Sequence, residues 1–558
     1  MQITLFDTGR LRPGGRCASR LPNDLPAVIK NRSSGSMPVR RACDDTDLGD
    51  GGNSNDTVPD NIASILRGQQ TQIDGSRDRI FSMGPVDHAA QILSIPHDVA
   101  SLVDDSNSDS FQSQVKKWLE DGVLESFPED SVCELVPVDP NADLSKAKLY
   151  PIKGEMYYGK GGMSSIPLAM RSNCLSYNNP DSASFQIQQD VWVSPSNGVK
   201  YTGNKNDDSQ PQWELRAGSK SLGKYHRLVI AHNGKCADRI MSKTPARAFH
   251  SLLRTKFAPY VPKWGGKEMT LNSIYSLVFA VKSPKNNDGP TELNSPIANA
   301  LKQLSQPTIS NNVYTVMIRN EPNLRLISSN TLKHHHTQNP SSQSNIEVYT
   351  LLSSAQFGKQ YKGPQENLPL DLMQTVTMEM LQSLERALGI EKGMVIQNVV
   401  DMKLQLWGAA VPMNTWKSGN GDGFVYDSQH GVGAAGDWIL DPSIAGAWES
   451  GRRLAGWIVD GDGSIGLPDL SAANDASGKF VPSRAALSSG IGTIPSTTNS
   501  VFEFPSANND GTKSQFASKG GRGSEASSRR QNFSGRRNGG GGGRSTMNTA
   551  GKRQPVSQ

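Results

Sequence analysis

An apolar strand that ends in a carboxylate opens the chain: Ile3-Thr4-Leu5-Phe6-Asp7, then Thr8-Gly9-Arg10 and Pro13-Gly14-Gly15-Arg16. In a dinucleotide-binding βαβ unit the second strand ends in such an acid, which bonds the adenosine ribose hydroxyls. Two adjacent glycines let backbone approach a pyrophosphate, and an arginine beside them neutralises charge. A strand, a tight turn and a surface arginine give the same pattern with no ligand. The segment alone leaves both readings open.

Helical and strand periodicities both occur along the rest of the chain. Phe111, Val115, Trp118 and Leu119 fall at i, i+4, i+7 and i+8, which predicts a helix over 110–121 closed by Gly122. Leu372, Val376, Met380, Leu384 and Leu388 share one helical face, and Gly389 supplies the C-cap. A further helix is predicted at 443–459. Alternation predicts a strand at 185–193, with others at 213–215, 274–281, 313–319, 346–354 and 403–410. Arg227 to Ala231 (RLVIA) reads as a continuous apolar strand of a buried sheet. This is an α/β chain with a β-rich second part, and its 558 residues give room for a two-part core.

Charge is unevenly spread. The chain carries +5, but residues 511–558 carry +9, leaving −4 for the rest. The basic character belongs to a Gly/Ser/Arg tail, with Arg529-Arg530, Arg536-Arg537 and a glycine run at 539–543. Such a tail resembles RGG-type segments that contact RNA by charge, and a solubilising tail has the same composition. The body is not a basic nucleic-acid-binding fold. Five widely spaced cysteines (17, 43, 133, 174 and 236) with no C-x-x-C point to a reducing compartment rather than a disulfide framework. The longest clean apolar run, Leu277 to Val281, is strand-sized, so neither a membrane span nor a membrane partner is expected. The first residues show no signal-peptide core. The compartment is left open within the cell, cytoplasm or plastid.

Two more segments carry chemistry. One is Val86-Asp87-His88-Ala89-Ala90-Gln91. The other is Gly436-Asp437-Trp438 followed by Ser443-Ile444-Ala445-Gly446. In the second, an acid precedes a helix whose early residues are small. A flat ligand can lie against that helix N-terminus, where free N–H groups favour negative charge. Plain close packing of helix on sheet explains the same residues.

In order along the chain, FDTGRLRPGGRCASR, VDHAAQ, KKWLEDGVLESF, YYGKGGMSSIPLAM, RLVIAHNGKCADRI, QLWGAAVP and AAGDWILDPSIAGAWESGRRLAGWI resemble the renalase-like, FAD-dependent amine oxidase family. Ala89 stands where that family usually has glycine. The resemblance implies an α/β fold: a Rossmann-like FAD-binding domain and a β-rich α+β substrate domain. It implies FAD as cofactor, with Asp7 on the adenosine ribose and Arg10, Gly14, Gly15 and Arg16 bordering pyrophosphate and flavin. Gln91 would sit near the flavin, Gly436 and Asp437 at the ribityl–pyrophosphate region, and Ile444 and Ala445 at the ring. The implied chemistry is hydride transfer from a small amine or dihydronicotinamide-like substrate to flavin N5. No general base stands out, and His88 reads as a structural histidine. On this reading the FAD-binding domain takes 1–20, 79–109, 151–255 and 426–465. The substrate domain takes a helix and loop at 110–150 and the segment 256–425. Residues 31–78 form a disordered insertion and 466–558 a disordered tail.

One departure matters. The family precedes its acid with a strand, G-x-G-x-x-G and a helix over about 25 to 30 residues, and here the acid is residue 7. The expectation is an N-terminally incomplete version of such an enzyme. The competing reading is a non-catalytic remnant that does not hold FAD and makes nucleic-acid or protein contact through its tail. A G-x-G-x-x-G at Gly461, Gly463 and Gly466 follows a helix, and Pro468 blocks a helix after it. His334-His335-His336 reads as a polar loop, and no metal site is expected.

Overall fold

Eight consecutive buried residues, Ile274 to Val281 of the strand Ile274–Lys282, fix the centre of the molecule. A strand that is apolar on both faces has to be covered on both. The computed structural model describes residues 1–9, 12–21, 58–71, 84–95, 110–138, 146–178, 184–195, 197–203, 212–283, 293–305, 312–334, 346–365, 367–417, 423–460 and 478–483. All of these fall in the unit Met1–Val501.

Twelve strands carry the argument in chain order. The first six are β1 (Gln2–Phe6), β2 (Val132–Pro137), β3 (Ala147–Pro151), β4 (Ser184–Gln188), β5 (Leu228–Ile230) and β6 (Ile274–Lys282). The others are β7 (Thr315–Ile318), β8 (Leu324–Ser329), β9 (Ile346–Ser353), β10 (Val399–Trp407), β11 (Val425–Asp427) and β12 (Val432–Ala434). The helices used below are α1 (Asp60–Thr71), α2 (Phe111–Glu120), α3 (Pro296–Leu304), α4 (Asn330–His334), α5 (Leu370–Leu388) and α6 (Ile444–Asp460). Other helices and strands join them.

Seven strands form one sheet in the order β10-β6-β9-β8-β7-β2-β3. Every neighbouring pair is antiparallel except β7 with β2. Side chains alternate between its faces. Tyr275, Leu277, Phe279, Val281, Tyr349 and Leu351 point to one face, where Val376, Met380, Leu381 and Leu384 of α5 cover them. Gly389 ends α5 in the left-handed conformation, φ 66°. Val278, Ala280 and Val348 point to the other face, against Val86. This second face meets the loop that carries Asp87 and His88.

Most periodic segments form the expected elements, although the strand expected at 185–193 stops at Gln188. The helix predicted at 110–121 is α2, capped by Ser110, whose hydroxyl accepts from Ser113 N–H. Four readings change. Residues 60–71, inside the expected disordered insertion, form α1, and its Ile62 and Leu66 are fully buried in the main core. Of that insertion, 31–57 and 72–78 lie outside the described residues. The tail expected to be disordered from 466 contains a strand, Lys479–Pro482, paired antiparallel with Asn414–Lys417; 466–477 and 484–558 lie outside the described residues. RLVIA is not a strand buried on both faces: β5 spans three residues and Val229 is 44% exposed. His334 is not in a loop; it ends α4 and is buried.

The fold is mixed α/β around a large sheet. In the region expected to be Rossmann-like, β1 pairs with β4 in parallel, and β5 with β12 in parallel, β11 being antiparallel beside β12. These are two separate small sheets among the described residues.

Candidate functional site

The first turn of chemistry-bearing residues is built by its glycines. Gly14 has φ 123° and Gly15 φ 53°, values that a side chain disfavours. A Cβ on Gly14 would stand 2.5 Å from Pro167 Cγ, whereas Gly15 faces open space. The short 3-10 turn Gly15–Cys17 then projects Arg16. One guanidinium nitrogen of Arg16 donates to the Ala410 carbonyl and the other to Asp437 Oδ2. Asp437 Oδ1 accepts from Asn233 Nδ2 at 3.1 Å. Arg16 thus joins three stretches of chain that lie far apart in sequence.

Asp437 is followed by a tight entry into α6. Ser443 Oγ accepts from Gly446 N–H at 3.0 Å, and a Cβ on Gly446 would be 2.1 Å from the Asp441 carbonyl. Only glycine fits there. Gly436 N–H donates to Ser450 Oγ at 3.1 Å. Ala445 is fully buried and Ile444 half-buried. Beside Gly436 the Trp438 indole N–H is buried and has no acceptor among the described residues.

The expected ligand residues divide into groups. Gly14, Gly15, Arg16, Gly436, Asp437, Ile444 and Ala445 belong to the segments that Arg16 ties together or to those flanking them. Asp7 directly follows β1, and its Oδ1 accepts from Gly9 N–H at 2.9 Å. It does not take part in the Arg16–Asp437 pair. Arg10 lies outside the described residues. Gln91 is drawn elsewhere. Its Nε2 donates to the Asp87 carbonyl at 2.8 Å, and its Oε1 accepts from Lys333 Nζ at 2.8 Å.

Of that second cluster the sequence singled out the segment with Asp87 and Gln91, but not its partners Lys333 and His334. Asp87 is fully buried, and its Oδ2 accepts from Lys333 Nζ at 2.9 Å and meets His334 Nε2 at 2.9 Å. Its Oδ1 accepts from Ser19 Oγ at 2.6 Å and from Met163 N–H at 2.8 Å. Asn330 Oδ1 accepts from Asp87 N–H, and Thr350 Oγ1 donates to its carbonyl. Burial alone would raise the Asp87 carboxyl; Lys333 and His334 outweigh it and hold the group well below the usual carboxylate range. Burial pulls the Lys333 ammonium down, against the pull of Asp87. A cation at 333 was detectable only as a lysine next to a buried leucine, Leu332.

Cys17 lies between the clusters and feels Arg16, Asp87 and Asp437; burial is the largest effect and pushes its thiol up to about 11. It is protonated and a poor nucleophile at neutral pH. The arrangement can bind and orient a ligand. A nucleophile activated by a neighbouring base is not present among these residues.

His88 stacks on Trp407 with ring centroids 5.5 Å apart. Its carbonyl accepts from Ser276 Oγ and Trp407 Nε1. Burial lowers its pKa to about 4, with Arg20 adding to the effect. The neutral imidazole belongs to the fold, so its contribution is complete above the unfolded value of about 6.5 and is lost as pH falls toward 4. His88→Phe is expected to flatten the loss of stability across that window, by an amount on the order of 3 kcal/mol. Urea unfolding at a series of pH values measures it; parallel curves for the two proteins would contradict the assignment.

No protein-family model matches the sequence, and no curated protein matches it. Solved structures do resemble it, at low similarity. An oxidoreductase from Methanosarcina mazei has 9% identity and a TM-score of 0.38, covering 71% of this chain and 96% of its own. Cyclohexylamine oxidase from Brevibacterium oxydans IH-35A has 10% identity and a TM-score of 0.37, covering 72% and 96%. The Diels-Alderase PyrE3 of pyrroindomycin biosynthesis has 10% identity and a TM-score of 0.29, covering 63% and 51%. Two of these three neighbours are oxidoreductases, one of them an amine oxidase.

Proposed function

We propose that this chain is an FAD-dependent oxidoreductase of the renalase-like amine oxidase type. Arg16, the Gly14–Gly15 turn, Gly436 and Asp437 would border the cofactor's pyrophosphate and ribityl chain, Asp7 its adenosine ribose, and Ile444 and Ala445 its ring. The observation that carries this reading is the Arg16–Asp437 pair, which brings the Gly14–Gly15 turn against the residues that lead into α6. Three features fit such a group: the open space at Gly15, the buried Trp438 N–H awaiting an acceptor, and the small residues at the start of α6. FAD held there would supply hydride-accepting chemistry toward a small amine or dihydronicotinamide-like substrate. This chain's part is positional. Arg16 places positive charge at the turn, Asn233 orients Asp437, and the glycines keep the backbone close. Gln91 is spent on Asp87 and Lys333, so it supports the loop and does not face a ligand.

One observation favours the second reading, a fold without FAD whose tail makes the contacts. The parallel pairs β1–β4 and β5–β12 do not share a sheet among the described residues. Colour separates the two. A flavoprotein shows absorbance near about 375 and 450 nm, as bound oxidised flavin does. Added FAD at 100 times Kd then stabilises the chain by about 2.7 kcal/mol. A colourless protein whose melting does not respond to FAD would discard the flavin reading.

A further inference from the structure

We infer that the loop 258–268 is an adsorption surface for anionic phospholipid bilayers. The loop joins two parallel strands, Thr255–Phe257 and Met269–Leu271. It carries Tyr260 and Trp264, which are 71% and 64% exposed. Between them stand Val261 and Pro262, half-buried, and the exposed Lys263, so the tip sets two aromatic rings beside a lysine. Large aromatic side chains in such positions usually find cover.

The loop is rigid where it needs to be. Gly265 N–H donates to the Pro262 carbonyl at 2.8 Å. Asn414 Nδ2 donates to the carbonyls of Gly265 and Glu268, at 2.7 and 3.0 Å, and its Oδ1 accepts from Thr270 N–H. Gly265 is seated so closely on the 479–482 strand that a Cβ would lie 1.8 Å from the Phe480 carbonyl. The two rings are therefore held out by a braced turn, and little conformational freedom is lost when they are covered.

Charge chooses the partner. Residues 254–268 hold Arg254, Lys256, Lys263 and Lys267 against Glu268 alone, a net +3 in a chain whose first 510 residues sum to −4. Arg254 pairs with Glu268 at 3.6 Å, and Lys256, Lys263 and Lys267 are exposed. Lys479 is exposed on the bracing strand. Exposed Trp and Tyr rings interleaved with lysines suit the headgroup zone of a bilayer, and lysines near an anionic leaflet are attracted over about a Debye length. A single-stranded nucleic acid would want rings spaced along a charged groove; here both rings flank one proline turn. The described helices include none long and apolar enough to cross a membrane, and adsorption by a loop needs none.

The test uses the full chain and sedimentation with unilamellar vesicles of phosphatidylcholine, with or without phosphatidylserine. The expected result is binding to phosphatidylserine vesicles that weakens with salt and falls at least about tenfold in Tyr260→Ser/Trp264→Ser, with unchanged thermal unfolding. Lys263→Glu/Lys267→Glu should lose a similar factor. Because both variants keep the basic tail, equal partitioning of wild type and aromatic variant would assign binding to the tail and overturn the proposal. Binding of an oligonucleotide in place of vesicles, lost in the same variant, would overturn it too.

Discussion

Replacing Lys333 with methionine is expected to cost about 3–5 kcal/mol of unfolding free energy, the usual penalty for stranding one member of a buried ion pair. The substitution leaves Asp87 fully buried beside His334 alone and leaves the Gln91 carbonyl oxygen without its donor. The damage spreads because Asp87 also anchors Ser19, Met163, Asn330 and Thr350. Chemical denaturation of Lys333→Met, of Asp87→Asn and of the double variant measures the coupling. Removing both charges should recover much of the loss, since a buried pair contributes little over neutral replacements. If the double variant is as unstable as the two singles added together, the ion pair is not what holds this junction. The carboxylate's contribution is present above its unfolded pKa of about 4 and erodes only in stronger acid, because its folded value is depressed.

The second large effect concerns the proposed flavin site. On that proposal, Arg16→Met is expected to weaken FAD binding roughly 10- to 150-fold, the range for removing a charge-assisted anchor that positions the site. Arg16→Lys should restore little, because one ammonium cannot reach the Ala410 carbonyl and Asp437 as a forked guanidinium does. Fluorescence titration of the two variants against wild type reads the affinity, and thermal unfolding without FAD shows whether the fold is intact. Unaltered affinity in a folded Arg16→Met chain would remove the residue from the site and with it the main support for the flavin reading.

Local physics made much of the fold legible. The stripe Leu372–Val376–Met380–Leu384–Leu388 with Gly389 is α5 with its left-handed cap, and the Ile274–Lys282 run is the centre of the large sheet. The apolar stripe of α1 was hidden because Ile62, Ala63 and Leu66 are diluted among the Asp, Ser and Gly residues around them. For the site, glycine turns and the acid before a helix were readable because their function is local. The Arg16–Asp437 pair, 421 residues apart, and the Asp87–Lys333 pair, 246 apart, are set by the tertiary fold and leave no periodic trace. His334 was misread for the same reason: three histidines in a row look solvated until a distant carboxylate is known to be waiting.

The two small parallel pairs have a colloidal consequence. β1, with the sequence QITLF, holds no charged residue and no proline, and its Ile3 and Leu5 are 44% and 38% exposed. β5, LVI, is as bare. Natural proteins guard such margins with lysine, proline or a bulge, because spare amide and carbonyl groups template a neighbouring molecule. Among the described residues neither strand carries that protection, so these short segments are where added gatekeeper charges are expected to improve solubility most, as turbidity of the concentrated protein would show.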